Sequence, residues 1–129
     1  MATGISETKI MSTISDEHSL NLFRTIALAK NDNGVALTSK TKELTRKQYY
    51  SRMSCMIKVG LIKRKNGKYF LTSLGKVVYE VVSLIESALK DHWKLKAIDQ
   101  LQAHINAEER KKIIDTLLID NQKIKEIII

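Results

Sequence analysis

Lys47, Tyr50, Ser51, Ser54 and Lys58 are the residues of this chain whose types and spacing can do chemistry together. Steps of three and four place them on one side of a helix, at about 100° per residue. Cations, hydroxyls and an aromatic ring on one face can donate to phosphates and to base edges. Arg46 and Gln48 lie in the first turn of the same helix. Shortly after it come Lys63, Arg64, Lys65 and Lys68, on a segment with no core reason to be basic. The chemistry is binding of a polyanion, and these eleven residues are the candidate DNA-binding set. The bland alternative is a solvated charged face, and the neighbouring basic segment argues against it.

Local signals position them. Thr45, Arg46, Lys47 and Gln48 form a capping box, with Leu44 and Tyr49 as a hydrophobic staple. Tyr49, Met53, Met56 and Ile57 are the expected core face. Gly60 ends the helix, as a residue that tolerates positive φ. Apolar and basic residues then lead to Asn66-Gly67, a strong hairpin signal. The expectation is a recognition helix over residues 45–59 followed by a basic wing over residues 62–70.

The charge distribution agrees. The chain has 129 residues and a formal net charge of +8. From Lys30 to Lys68 the acids are only Asp32 and Glu43, whereas from Lys90 onward bases and acids nearly balance. A local basic surplus is the electrostatic footprint of a nucleic-acid-binding surface. The single Cys55 excludes an intrachain disulfide and suits a reducing cytoplasm; it reads as a half-buried filler. No apolar run reaches the ~20 residues of a membrane span, and the N-terminus lacks a secretory pattern.

Taken in order, residues 1–15 read as a mobile N-terminal arm. Ser15 or Asp16 caps a core helix to about Lys30 carrying Leu20, Phe23, Ile26 and Ala27, with Leu22 flanking. Turn residues Asn31 to Gly34 precede a short strand over residues 35–37 and a brief helix, capped by Thr38 or Ser39, through Leu44. Two helices joined by a tight turn, the second capped and basic, make a helix-turn-helix. After the wing, Thr72 or Ser73 caps a long helix. Its apolar stripe runs from Leu74 through Val78, Val81, Ile85, Leu89 and His92 to Leu101. It either reaches about His104 or bends near residues 91–94. Asn106 and Glu109 form a second capping box, and Asp120 is the expected cap of a last helix with Ile124, Ile127, Ile128 and Ile129. The stripe outruns a small core. Either the last helices fold back over it, or a second chain covers it; the expectation is a homodimer.

Catalytic and cofactor chemistry is not legible. His18, His92 and His104 lack ligand spacing, Cys55 has no partner cysteine, and Gly34, Gly60, Gly67 and Gly75 are isolated turn glycines. The expectation is a protein that is not an enzyme and uses no metal or cofactor.

Residues 44–79, LTRKQYYSRMSCMIKVGLIKRKNGKYFLTSLGKVVY, resemble the DNA-binding core of winged helix-turn-helix regulators of small prokaryotic, particularly archaeal, type. Two stretches carry the resemblance: Gly60, Leu61, Ile62, Lys63, where the recognition helix turns into the wing, and Tyr69, Leu71, Thr72, Leu74, Gly75, where the wing enters the next helix. The likeness extends to MarR-like and ArsR-like repressors, typically dimers. It implies a mainly α fold with a small β wing: a winged helix-turn-helix over residues 16–79 and a helical extension over residues 80–129 for dimerisation. It also implies sequence-specific binding of double-stranded DNA. A sequence-tolerant architectural protein and a winged-helix protein-interaction module are the alternatives.

Overall fold

A computed structural model describes residues 4–29, 44–101 and 105–129. Among them the chain is mainly helical with one small antiparallel sheet. The order is α1 (Glu7–Thr13), α2 (Glu17–Leu28), α3 (Arg46–Lys58), β1 (Ile62–Lys65), β2 (Lys68–Leu71), α4 (Ser73–Lys90), α5 (His92–Asp99), α6 (Ala107–Leu117) and α7 (Gln122–Ile128). Two compact units result, Met1–Tyr79 and Glu80–Ile129. The strand expected over residues 35–37 and the brief helix after it lie outside the described residues.

In the first unit, Asp16 caps α2. Its carboxylate accepts from Ser19 N at 3.1 Å and from Arg52 Nε at 3.0 Å, so one side chain ends α2 and ties it to α3. Burial by itself would raise this carboxyl, but the bonds from Ser19 and Arg52 outweigh it and hold the pKa at about 2. A depressed carboxyl stabilises the fold at pH above its unfolded value, and that contribution fades as pH falls toward the folded value. Asp16→Ala is therefore expected to cost about 1 kcal/mol near neutrality, chiefly as a lost cap. The ion pair adds little, because both partners are partly exposed. Thermal melts of both proteins should show the gap narrowing below about pH 4; an equal gap at about pH 2 and about pH 6 would remove this account.

Leu22, Phe23 and Ile26 are buried on α2, which packs on β2, and Tyr49, Met53 and Met56 are buried on α3. Leu22, expected to flank, is a core residue, while Leu20 is only half-buried. Ile57, expected in the core, is 40% exposed. Both corrections are small rotations of a helix face, settled by which neighbours pack there. Phe23 meets Tyr79 edge to face at 6.2 Å. Residues 7–13, expected within a mobile arm, instead form α1, which packs on α3. Its signal is a cap rather than an apolar period: Ser6 accepts from Lys9 N at 3.2 Å.

The joint between the hairpin and α4 is made of backbone. Thr72 N donates to Leu61 O at 3.1 Å. The Thr72 hydroxyl faces the carbonyls of Gly60 and Leu61 and accepts from Gly75 N at 2.9 Å. Gly75 lies directly against Leu61, with no room for a side chain.

In the second unit, α4 ends at Lys90 and α5 starts at His92, so of the two expected courses the break near residues 91–94 is the one taken. Asn121 holds that break. Its amide donates to Ser87 Oγ at 2.6 Å and Asp91 Oδ2 at 3.0 Å, and its carbonyl accepts from Ile124 N at 3.3 Å. The Asn121 amide and then Lys94 keep the Asp91 carboxyl below its ordinary range. Asn121, not Asp120, therefore caps α7. The reason is tertiary: one side chain there serves both the cap and the break. Ile98, Ile114, Leu118 and Ile124 form the core, with Leu84, Ala88, Leu95, Leu101, Leu117 and Ile128 packed around it. Helices α6 and α7 thus fold back over part of the apolar stripe. Val77, Val81, Ile85 and Leu89 on another side of α4, and Trp93 of α5, are more than half exposed. So are Ile127 and Ile129 at the chain end. Among the described residues no helix is long and apolar enough to cross a membrane.

Candidate nucleic-acid interface

Helix α3 forms where the capping box lies. Thr45 Oγ1 accepts from Gln48 N at 3.1 Å, and Gln48 Oε1 accepts from Thr45 N at 3.0 Å. Gln48 is thus engaged in holding the helix start, which narrows its expected role toward DNA to its remaining amide donors. Gly60, at φ 81°, turns the chain out of α3. Asn66 and Gly67, both at positive φ, make the two-residue turn that matches the twist of paired strands. The register follows, with Ile62 opposite Leu71 and Lys65 opposite Lys68. Ile62 and Tyr69 face inward and are buried. Lys63, Arg64, Lys65 and Lys68 are left at the surface.

All eleven candidate residues are exposed: Arg46, Lys47, Gln48, Tyr50, Ser51, Ser54 and Lys58 on α3, and the four bases on the hairpin. They belong to one compact unit, in which α3 packs on β1. Among the described residues the ion pairs engage Arg52, Lys94, Lys123 and Lys125, and none of the cations of the candidate set. Residues 44–79 hold nine bases and no acid. Such a surface repels itself unless a polyanion or counterions neutralise it.

Sequence reasoning missed some of this. Arg52 lies among the cations, yet it is committed to Asp16 and also donates from Nη1 to Gln48 O at 3.4 Å. Cys55, expected half-buried, is exposed. Ile57 adds an apolar patch one helical turn beyond Ser54. Helical spacing could have flagged Ile57, since it also falls near Tyr50 and Ser54 on the wheel. Nothing local announced the Arg52–Asp16 pair, which joins residues 36 apart.

Among the described residues no group of three or more His, Cys, Asp or Glu side chains could hold a metal ion. A shallow hollow of about 270 Å³ lies beside Lys112, Ile113, Thr116 and Leu117 on α6, with no convergent polar groups. Compared with known proteins, the chain matches no family model, no curated protein and no solved structure.

Proposed function

We propose that this chain is a double-stranded-DNA-binding transcriptional regulator of the winged helix-turn-helix class, without catalytic activity, acting in the cytoplasm as a homodimer. Helix α3 enters the major groove, which is wide enough for one helix. The hairpin lies on the backbone or in the minor groove. One observation carries the reading: an acid-free helix and hairpin presenting unpaired cations together with Tyr50, Ser51 and Ser54. Hydroxyls and a ring between cations offer base-edge chemistry that charge alone does not.

Val77, Val81, Ile85 and Leu89 form a row at steps of four along α4, exposed in one chain. Such a row packs into the grooves of a like helix. This is the surface we assign to the second copy of the chain, with Trp93 beyond it.

Binding of the purified protein to duplexes selected from a random pool, against random duplexes, tests the reading. Lys47→Ala and Tyr50→Ala are expected to cost about 1–3 kcal/mol on the preferred duplex and little on random DNA. The number of chains bound per site, read from the same titration, should be two. An unchanged ratio between the duplexes for both variants would favour the sequence-tolerant architectural protein. No salt-dependent binding at all would favour the protein-interaction module.

A further inference from the structure

Two of the exposed cations are held differently from the lysines beside them. Arg46 Cζ stands 5.8 Å from the ring centroid of Tyr50, and Arg64 Cζ stands 5.7 Å from that of Tyr69. Both lie within the ~6 Å reach of cation–π attraction. Tyr49 stands beside the first pair. Its ring contacts Tyr50 edge-on at 5.0 Å. Burial first, then the neighbouring phenols of Tyr69 and Tyr50, push its hydroxyl up to about 12. Tyr49 and Tyr69 are buried, so their rings are fixed by the core of the unit. Tyr50 leans on Tyr49 and keeps its other side exposed.

A guanidinium resting on a fixed ring has less freedom to lose on binding, and its planar fork stays oriented. A lysine ammonium is a compact point charge on a flexible stem. We propose that Tyr50 and Tyr69 are positioning residues that aim Arg46 and Arg64. Helix α3 and the hairpin then each present one guanidinium oriented in advance, whereas the lysine ammoniums rest on no ring of this pair. The ligand chemistry is a pair of coplanar acceptors, found on a guanine edge and on a phosphate. This inference rests on the DNA-binding reading above and adds which cations are oriented before the ligand arrives.

The test keeps the charge and removes the fork. Arg46→Lys and Arg64→Lys, both at exposed positions, are compared with the wild type on selected and random duplexes across a salt series. Each is expected to weaken binding about fivefold, with the salt slope unchanged because no charge is lost. A loss confined to the selected duplex assigns that arginine to a guanine edge; an equal loss on all duplexes assigns it to phosphate. Tyr50→Leu should weaken binding at least as much as Arg46→Lys does, and the double variant should be no worse than Tyr50→Leu alone, which independent roles would not produce. Tyr69→Phe keeps the ring and should bind like the wild type. Lysine variants binding within about twofold of the wild type would overturn the proposal while leaving DNA binding intact. A wild type that fails to bind any duplex would overturn both.

Discussion

Gly75→Ala is expected to cost about 3 kcal/mol or more, with a fall in melting temperature on the order of 10 °C. A Cβ at Gly75 would stand 2.0 Å from the Leu61 carbonyl oxygen and 3.1 Å from its carbon. The obstacle is backbone, not the end of a flexible side chain, so relief requires moving α4 away from the start of β1. That movement would also stretch the bonds from Thr72 to the Gly60 and Leu61 carbonyls and the cap on Gly75 N. Gly67→Ala is the informative control. Gly67 has nothing within 4 Å but sits at φ 75°, so it pays only the left-handed backbone cost of about 1–2 kcal/mol. Urea denaturation of the three proteins separates the two mechanisms. A Gly75→Ala midpoint equal to that of the wild type would mean that α4 does not start against Leu61. On the proposed reading the same variant is also expected to impair DNA binding, because the joint sets the seat of the hairpin beside α3.

Replacing Lys63, Lys65 and Lys68 together by Ala is expected to give the largest change in binding. If each lysine neutralises one phosphate, the slope of log K against log salt should drop by about 0.9 per side chain, about 2.7 in all. At low salt the affinity should fall by orders of magnitude, equally for selected and random duplexes. The structure supports a clean experiment. All three side chains are exposed, and the strands are held by Ile62 and Tyr69 on the inner side. Stability should therefore stay within about 0.5 kcal/mol of the wild type, as for ordinary surface substitutions. A loss restricted to the selected duplex would show the hairpin reading bases. An unchanged slope would exclude the hairpin from the phosphate contacts.

The two experiments address different links of one chain of cause. The turn at Asn66-Gly67 and the alternation of side chains place Lys63, Lys65 and Lys68 outside, whereas Arg64 shares the face of Ile62 and Tyr69 and lies over the Tyr69 ring. The contact of Gly75 with Leu61 decides how the hairpin is seated on the first unit. On the proposed reading, charge supplies affinity only after that seat exists.

What the sequence determined by itself is local. The capping box at Thr45 and Gln48, the stop at Gly60, the Asn-Gly hairpin and the cap at Asn106 each depend on groups within a few residues of one another, and all are present in the structure. Charge is local in the same sense, so the basic helix and hairpin were legible before any fold. What only the tertiary structure decided depends on distant partners. Ile57 is exposed and Leu22 buried because neighbouring elements choose which edge of an apolar face to cover. Arg52 leaves the cationic surface because Asp16 is within reach. Asn121 displaces Asp120 as a cap because Ser87 and Asp91 bind its amide. Gly75 reads as an ordinary turn glycine until the Leu61 carbonyl is found where its side chain would be. Spacing along the chain carries no information about which distant backbone comes close, so these contacts become visible only once the chain has folded.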